Sequence, residues 1–440
     1  MPVARFTPES TAPEPERAIL VGVDFGDSDW SIEDSMAELG RLAETDGAVV
    51  VMTMTQRLDK PVPRTFIGKG KTEELVSYVR NLDADVVIFD DELTPSQQAN
   101  LEKVVGERVK IIDRTALILD IFGTHATTHE GRLQVQLAQL QYLLPRLRGM
   151  WSHLVGEQTR GGIGSRFGQG ESQLEVDRRI VRDRISTLRH ELSELEKRRG
   201  VQSKARWDSG IYRVALVGYT NAGKSTLLNR LTGSDVYVRD ELFATLDPTT
   251  RALDLEEGRK ITVTDTVGFI QKLPTMLVES FKSTLAEVSS ADLVLLVVDT
   301  SDPNADKEIA AVRSVLADIG ADAIPSVLVY NKSDLLDDEG RRLVMTLHPE
   351  AQLISATEGT GIRGLLYRIA QEASHGEETC TVLIPFERGI LVKMVHERCQ
   401  IIRERYTQEG LLATIRASAR MRQTLEPYLA PDETGDLEDL

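Results

Sequence analysis

One stretch of the sequence decides the fold: Gly218-Tyr219-Thr220-Asn221-Ala222-Gly223-Lys224-Ser225, which directly follows the apolar run Tyr212 to Val217. A strand that leads into a glycine-rich turn and then into a helix aims backbone N–H groups and the helix N-terminus at one anion. In such a phosphate-binding loop, Lys224 reaches the β- and γ-phosphates of a nucleotide, and the Ser225 hydroxyl binds Mg²⁺. The alternative is a glycine-rich turn that only links strand to helix, and the motifs downstream weigh against it. The stretch therefore predicts an α/β domain built on a mostly parallel sheet.

A second motif, Asp265-Thr266-Val267-Gly268, ends the strand-like run Lys260 to Thr264. A carboxylate at the end of a strand can hold Mg²⁺ through a water molecule, and the N–H of Gly268 can donate to the γ-phosphate because no side chain blocks the approach. Alone, this four-residue pattern is weak and usually marks a turn. Its order and spacing after the phosphate-binding loop make Asp265 a predicted metal-site residue and Gly268 a predicted phosphate contact.

Two further motifs predict which base the site binds. Asn331-Lys332-Ser333-Asp334 and Ser355-Ala356-Thr357 each follow an apolar run. The carboxylate of Asp334 can accept hydrogen bonds from guanine N1–H and N2–H₂, donors that adenine lacks, so adenine would leave the carboxylate unpaired. A backbone N–H near Ala356 can donate to guanine O6. Four motifs in this order predict a domain that binds GTP and GDP and hydrolyses GTP.

The segment between the first two motifs, Asp240 to Arg251, is predicted to sense the γ-phosphate. One hydroxyl in it completes the Mg²⁺ shell, and we expect Thr245 rather than Thr249 or Thr250, although spacing alone does not decide among the three. A threonine-rich surface loop fits the same pattern. The predicted nucleotide contacts in this segment are Phe243, Ala244, Thr245, Leu246 and Asp247, and the predicted metal-site residues are Ser225, Thr245 and Asp265.

The residue after the second motif is Phe269, where many signalling GTPases place a glutamine that orients the attacking water. An apolar side chain cannot orient water, so the sequence predicts slow intrinsic hydrolysis that a partner accelerates. Asn221 resembles the loop asparagine of GTPases that hold K⁺ beside the phosphates; the alternative is an asparagine that only stabilises the turn. The predicted catalytic residues are Lys224, Asn221 and Gly268.

Composition and charge bound what surrounds this domain. The chain has 440 residues, enough for about three or four domains. Its net charge of −17 argues against binding nucleic acid over the whole surface, and its two cysteines are too few for a disulfide framework. No apolar stretch approaches the ~18 residues of a membrane span, and the first residues lack a secretory signal. A cytoplasmic protein without a membrane span is therefore expected.

Residues 146–206 carry a local basic excess, with fourteen Arg and Lys against eight Asp and Glu. Leucine-rich stripes with heptad-like spacing flank a glycine-rich turn at 161–170, which predicts an antiparallel helical hairpin with a basic tip. Pro145 is expected to kink or end the first helix, and Arg146 to belong to the basic end. Arginines and an aromatic ring in such a tip suit phosphates and unstacked bases, although a solvated loop explains the same composition. The predicted RNA contacts are Arg160, Arg166 and Phe167.

Other modules flank these parts. Upstream, strand-like and helix-like runs alternate and predict a mostly parallel sheet. Downstream, strands at 382–385 and 411–415 are separated by a helix near 388–403 and followed by a helix near 416–427. The predicted organisation is a disordered leader at 1–17, an N-terminal α/β domain at 18–128, an α-helical coiled-coil hairpin at 129–205, a P-loop GTPase domain at 206–376, a small C-terminal α+β domain at 377–430 and an acidic tail at 431–440.

Taken together, these motifs resemble the HflX family of translational GTPases, which split stalled ribosomes. The resemblance rests on residues 218–225, 242–249 and 265–270 and on Arg160-Gly161-Gly162-Ile163-Gly164, and it covers nearly the whole chain. It implies binding to the large ribosomal subunit, with the hairpin tip near rRNA of the peptidyl transferase centre and ribosomal proteins. It also implies partial association with ribosomes and supports Thr245 as the Mg²⁺ ligand. One departure is Gln169, which replaces the proline of the family's GPGETQLE; we expect the tip contacts to survive.

The resemblance implies a ribosome-stimulated GTP hydrolase that dissociates stalled or idle ribosomes and is reset by hydrolysis. An assembly factor of the large subunit would share every sequence feature. A protein-binding GTPase that dimerises through the hairpin is a third possibility, because heptads alone permit it. A monomer is expected, and chromatographic mass distinguishes it from the dimer.

Overall fold

The computed structural model describes residues 15–26, 30–106, 108–157, 169–208, 211–233, 242–243, 245–255, 259–272, 287–375, 377–417 and 419–430. The chain forms two compact units, one of Met1–Thr124 with Val135–Leu188 and the other of His125–Gln134 with Arg189–Leu440. The predicted RNA contacts Arg160, Arg166 and Phe167, the acidic tail and most of the predicted leader lie outside the described residues.

The first unit contains a parallel sheet with the strand order β2-β1-β3-β4. Strand β1 (Arg17–Asp24), one of the two inner strands, is fully buried over Ala18 to Val21. Side-chain caps mark the starts of two helices: Ser31 caps the helix that begins at Ile32, and Thr94 and Gln97 form a capping box at the helix that begins at Pro95. The predicted alternation of strands and helices is confirmed. The elements are β1 (Arg17–Asp24), α1 (Ile32–Thr45), β2 (Val49–Arg57), α2 (Lys69–Asn81), β3 (Val86–Phe89), α3 (Pro95–Val105), β4 (Lys110–Asp113) and α4 (Arg114–His125).

Buried ion pairs are built into this unit. Arg114 donates to Glu38 at 2.7 Å and to Asp90 at 2.6 Å, and all three side chains are almost fully buried. Arg146, also buried, donates to the Asp113 carboxylate at 3.2 Å. The expectation that Arg146 belongs to an exposed basic end is therefore wrong, because a buried carboxylate from the sheet pairs with it.

Two long helices follow, α5 (His129–Glu157) and α6 (Gln169–Asp208). Helix α5 continues past Pro145, so the helix does not end there; the neighbouring Arg146 ties this turn to Asp113 and to the carbonyl of Tyr142. No helix within the described ranges combines the length and apolar character needed to cross a membrane. The predicted stripes comprise Leu133, Leu137, Leu140, Leu144, Leu147 and Trp151 before the turn and Val181, Ile185, Leu188, Leu192 and Leu195 after it. Among those whose burial the structure describes, Leu133, Leu137, Leu147, Ile185 and Leu188 are buried.

The second unit contains a sheet with the strand order β10-β9-β8-β5-β7-β6, in which β6 is antiparallel to β7 and the other pairs are parallel. The predicted mostly parallel sheet is confirmed. The carboxyl ends of its parallel strands meet at one edge, which is where the four sequence motifs begin. The elements are β5 (Tyr212–Gly218), α7 (Lys224–Thr232), β6 (Thr249–Asp254), β7 (Lys260–Asp265), β8 (Leu293–Asp299), α8 (Ala305–Asp318), β9 (Ser326–Asn331), α9 (Asp338–Leu347), β10 (Gln352–Leu353) and α10 (Ile362–Ala373).

The same unit ends in an antiparallel sheet with the order β12-β13-β11-β14. Strand β12 was not predicted, and the helix expected near 388–403 ends at Arg398. An edge strand exposes most of its residues, so β12 lacks the apolar alternation that marks a buried strand. The helix expected from 416 begins at Ala419, because β13 runs through Ala417. The elements are β11 (Glu378–Pro385), α11 (Gly389–Arg398), β12 (Gln400–Tyr406), β13 (Gly410–Ala417), α12 (Ala419–Leu425) and β14 (Leu429–Ala430).

Candidate nucleotide-binding site

The phosphate-binding loop joins β5 to α7, and two glycines at this site lie where other groups come close. A Cβ on Gly223, whose φ is +90°, would lie 2.3 Å from the Asn331 Nδ2 atom. A Cβ on Gly268 would lie 2.8 Å from the Cα of Thr220 and 3.0 Å from the Lys224 Nζ atom. Glycine at these positions therefore lets the second and third motifs contact the loop directly.

Lys224 is the first residue of α7 and is 6% exposed. Its ammonium group donates to the carbonyls of Gly218 at 3.0 Å and Tyr219 at 2.6 Å. Burial lowers the pKa of Lys224 to about 8, while Asp265 and Glu308 partly oppose the shift. A phosphate beside the ammonium would supply the counter-charge that the buried lysine lacks.

Three oxygen-bearing side chains converge next to Lys224. The Ser225 hydroxyl lies 2.7 Å from the Thr245 hydroxyl and donates to Asp265 Oδ2 at 2.6 Å. Burial raises the pKa of Asp265, against the opposing effects of Lys224 and of hydrogen bonds that include those from Ser225 and Thr245. The other carboxylate oxygen, Oδ1, is buried without a hydrogen-bond partner. Mg²⁺ prefers hard oxygen ligands, so this cluster with an unsatisfied carboxylate oxygen fits that ion.

The three threonines considered from the sequence have different positions. Thr245 bonds within the Ser225 and Asp265 cluster, whereas the Thr250 hydroxyl lies 2.9 Å from that of Thr264. Thr249 is the first residue of β6. The structure thus brings Thr245 to the metal-site residues, which supports it as the proposed Mg²⁺ ligand.

Phe269 has a structural role in the backbone of the site. Its N–H donates to the carbonyl of Gly218 at 3.1 Å, and its carbonyl accepts from the N–H of Thr220 at 2.8 Å. The side chain is buried. The residue after the second motif therefore joins that motif to the phosphate-binding loop and presents no polar group to water.

The base-binding motifs are joined to the loop by Asn331. Its side-chain amide donates to the carbonyl of Ala222 and accepts from the N–H of Ala356, both at 2.9 Å. The N–H of Ala356 thus already has an acceptor, so the proposed bond to guanine O6 requires that this N–H be shared or that a neighbouring N–H donate. Lys332 has a φ of +63° and pairs with Asp299 at 2.7 Å. Asp334 Oδ1 is buried without a hydrogen-bond partner, as expected of a carboxylate that receives donors from a ligand.

Further predicted contacts lie in the segment 243–247. Phe243 and Leu246 are each 2% exposed, so their side chains pack into the protein. Ala244 lies outside the described residues. The carboxylate of Asp247 accepts hydrogen bonds from Thr127 and Thr128, far upstream in the chain. The sequence did not indicate these two threonines, because no local pattern links positions so far apart.

Comparison with known proteins agrees with this site. Three family models match successive parts of the chain: a GTP-binding GTPase N-terminal model at residues 33–123, a GTP-binding GTPase middle-region model at 125–206 and a 50S ribosome-binding GTPase model at 213–332. GTPase HflX of Caldanaerobacter subterraneus subsp. tengcongensis is 46% identical over 421 residues, which cover 96% of this chain and 95% of that protein. The chain belongs to the HflX GTPase family. GTPase HflX of Escherichia coli (strain K12) is 42% identical over 397 residues, which cover 90% of this chain and 92% of that protein.

Among solved structures, the chain is similar to a GTP-binding protein from Sulfolobus solfataricus in complex with GDP, with 23% identity, a TM-score of 0.42 and coverage of 81% of this chain and 98% of that one. Membership of the HflX family makes the chain a GTP-binding P-loop GTPase, and the family and the fold support GTP hydrolysis. Mg²⁺ is the general cofactor of such GTPases, and the cluster of Ser225, Thr245 and Asp265 fits it.

Proposed function

We propose that this chain is a GTP hydrolase that binds the large ribosomal subunit and dissociates stalled or idle ribosomes, with hydrolysis resetting the factor. The observation that carries the nucleotide part is the convergence of Ser225, Thr245 and Asp265 beside the buried Lys224. The ribosomal part is supported by the match to the 50S ribosome-binding GTPase model and by the basic sequence of the hairpin. Arg160, Arg166 and Phe167 are the proposed RNA contacts.

Each proposed role follows from the chemistry of the residue. The Lys224 ammonium would exchange its carbonyl partners for β- and γ-phosphate oxygens, and the N–H of Gly268 would donate to the γ-phosphate. Ser225 and Thr245 directly, and Asp265 through water, would hold Mg²⁺, which neutralises charge on the phosphates. Other contacts of the bound nucleotide would come from the rest of residues 218–225, 243–246, 265–268, 331–334 and 355–357, whereas the carboxylate of Asp247 is held by Thr127 and Thr128.

Among the described residues, the position after the second motif offers no polar side chain to orient the attacking water. Phe269 is apolar and its backbone is committed to the loop. Asn221 has a φ of +61° and an exposed side chain, which leaves its amide available for a K⁺ ion beside the phosphates. We therefore propose that intrinsic hydrolysis is slow, that K⁺ promotes it and that the large subunit stimulates it.

The first test is GTP turnover with and without purified large subunits, in K⁺ and in Na⁺ buffer. The variant Arg160→Ala/Arg166→Ala should lose the stimulation and keep the intrinsic rate. A matched control is Arg182→Ala/Arg189→Ala, which removes the same charge from exposed positions of α6. Equal loss in both variants would assign the effect to general charge, and no stimulation of the wild type would reject the ribosomal partner.

A second test separates splitting from assembly of the large subunit. Mature ribosomes are mixed with the wild type and GTP or a non-hydrolysable analogue, and subunits are separated by sedimentation. Splitting with both nucleotides supports binding of the GTP form as the active step. Splitting by Lys224→Ala as efficient as by wild type would contradict the proposal, and stimulation without splitting would favour the assembly role. The mass of the free protein tests the expected monomer against the dimeric alternative.

A further inference from the structure

The segment that carries Thr245 is fastened to the beginning of α5 by one carboxylate. Asp247 Oδ2 accepts from the Thr127 N–H at 3.0 Å, the Thr127 hydroxyl at 2.7 Å and the Thr128 N–H at 2.8 Å, and Oδ1 accepts from the Thr128 hydroxyl. Both threonines and Asp247 belong to the same compact unit. Four donors from two adjacent residues thus converge on one side chain about 120 positions downstream.

The geometry of this contact suits an ionised carboxylate, because all four hydrogen bonds from Thr127 and Thr128 are donated to the Asp247 oxygens. Hydrogen bonds to an ionised acceptor are stronger than those between neutral groups. The contact is therefore selective for aspartate, since an amide would turn one acceptor into a donor that faces other donors.

Gly131 is the second, independent observation. A Cβ on this residue would lie 2.4 Å from Asp247 Oδ1 and 3.1 Å from the Thr128 hydroxyl oxygen. The N–H of Gly131 donates to that same hydroxyl at 3.0 Å. Glycine is unfavourable inside a helix, yet here it leaves the space that the carboxylate occupies.

Asp247 and Thr245 are separated by a single residue, so their positions are closely linked. Two residues span at most ~7 Å of chain, and Leu246 between them is buried. On the other side, Pro248 fixes its own φ, and Thr249 begins the pairing of β6 with β7. A carboxylate held at Thr127 and Thr128 therefore restricts where the Thr245 hydroxyl can lie.

We propose that Asp247, Thr127 and Thr128 form a latch that positions Thr245 for GTP hydrolysis and couples the γ-phosphate to the first turn of α5. The proposal rests on the proposed role of Thr245 as a Mg²⁺ ligand. Because coupling between two sites is reciprocal, closure of Thr245 on GTP stabilises the α5 contact, and loss of that contact weakens closure. Helix α5 begins at His129, so the latch couples the nucleotide state to the start of the first helix of the predicted hairpin.

The decisive variants are Asp247→Asn and Gly131→Ala in the full-length chain. Alanine favours the helix but displaces the carboxylate, so Gly131→Ala should slow hydrolysis without weakening the fold. The control is Gly40→Ala in α1, where a Cβ would meet only Leu20 Cδ1 at 3.8 Å, an ordinary contact. We expect the single-turnover rate of hydrolysis to fall on the order of 10- to 100-fold in both latch variants, as for a misplaced reacting group, with GDP affinity unchanged.

Two readouts separate positioning from a merely structural effect. The preference for a GTP analogue over GDP should fall in the latch variants, because only the γ-phosphate state uses Thr245. Hydrogen exchange of residues 129–134 should slow on addition of the analogue in the wild type and not in Asp247→Asn. The two substitutions should also be non-additive, since they remove the same contact.

The possible results distinguish a failure of the latch from a failure of the proposed function. A wild-type rate in Gly131→Ala, additive effects in the double variant, or an equal loss of GDP and GTP affinity would overturn the latch. All measurements are made without ribosomes, so a failure of stimulation by large subunits would reject the proposed function and leave the latch intact. Ribosome stimulation together with unaffected latch variants would reject the latch alone.

Discussion

Replacing Asp334 by asparagine should change which base the site accepts. The carboxylate lies on the short turn Ser333–Leu335, and its Oδ1 atom is buried without a protein partner. Guanine presents two donors, N1–H and N2–H₂, to such a group. Asparagine keeps one acceptor and turns the other position into a donor that faces the guanine amino group.

The expected magnitude follows from these hydrogen bonds. A hydrogen bond to a charged group contributes about 1.5–3 kcal/mol. The substitution removes one such bond, weakens the other by removing the charge and sets two donors against each other. We expect a loss of about 3–4 kcal/mol in GDP binding, or roughly 10²- to 10³-fold in Kd. Xanthine carries a carbonyl where guanine carries the amino group, so the asparagine amide can donate to it and part of the affinity returns.

The assay is calorimetric titration of wild type and Asp334→Asn with GDP and with XDP. The matched control is Asp338→Asn, which makes the same chemical change at a side chain that is 87% exposed. The control should bind both nucleotides as the wild type does. If Asp334→Asn lowered the affinity for GDP and XDP by the same factor, the carboxylate would have a structural role and the base-reading argument would be refuted.

Three further predictions concern the loop and the first unit. Gly268→Ala places a Cβ against the Lys224 ammonium. It should lower the single-turnover rate of GTP hydrolysis by more than about tenfold and affect GDP binding less. Single-turnover kinetics and calorimetric titration with GDP measure the two effects. The pKa of about 8 for Lys224 is below the usual lysine value, and a bound triphosphate should raise it. Binding of Mg²⁺-GTP should therefore take up more protons at pH 8 than at pH 6.5, as measured by calorimetry in buffers of different ionisation enthalpy. Arg114→Met leaves Glu38 and Asp90 buried without their cation and should cost about 3–5 kcal/mol in urea unfolding. Part of that loss should return as the pH falls, because protonation neutralises the two carboxylates.

The sequence predicts the nucleotide-binding half of the fold well because each motif there is local. A strand, a turn and a helix start occupy consecutive residues, so 218–225 and 265–268 carry their geometry within a few positions. The predicted parallel sheets were confirmed for the same reason, since their buried strands read as apolar runs. Strand β12 was missed because an exposed edge strand has no such pattern, and Arg146 was misplaced because its partner Asp113 lies 33 residues away.

Asp247 shows most clearly what a local motif leaves out. Its position two residues after Thr245 made it a predicted nucleotide contact, yet its carboxylate is directed to Thr127 and Thr128. Neither the threonine pair nor Gly131 has a distinctive sequence signal, and only the fold places the three beside the segment that senses the γ-phosphate. This arrangement gives a physical reason for a glycine in the first turn of α5, because a Cβ there would lie 2.4 Å from Asp247 Oδ1 and would displace the carboxylate. If the bound nucleotide affected only its own binding loop, position 131 would not need to leave space for the Asp247 carboxylate.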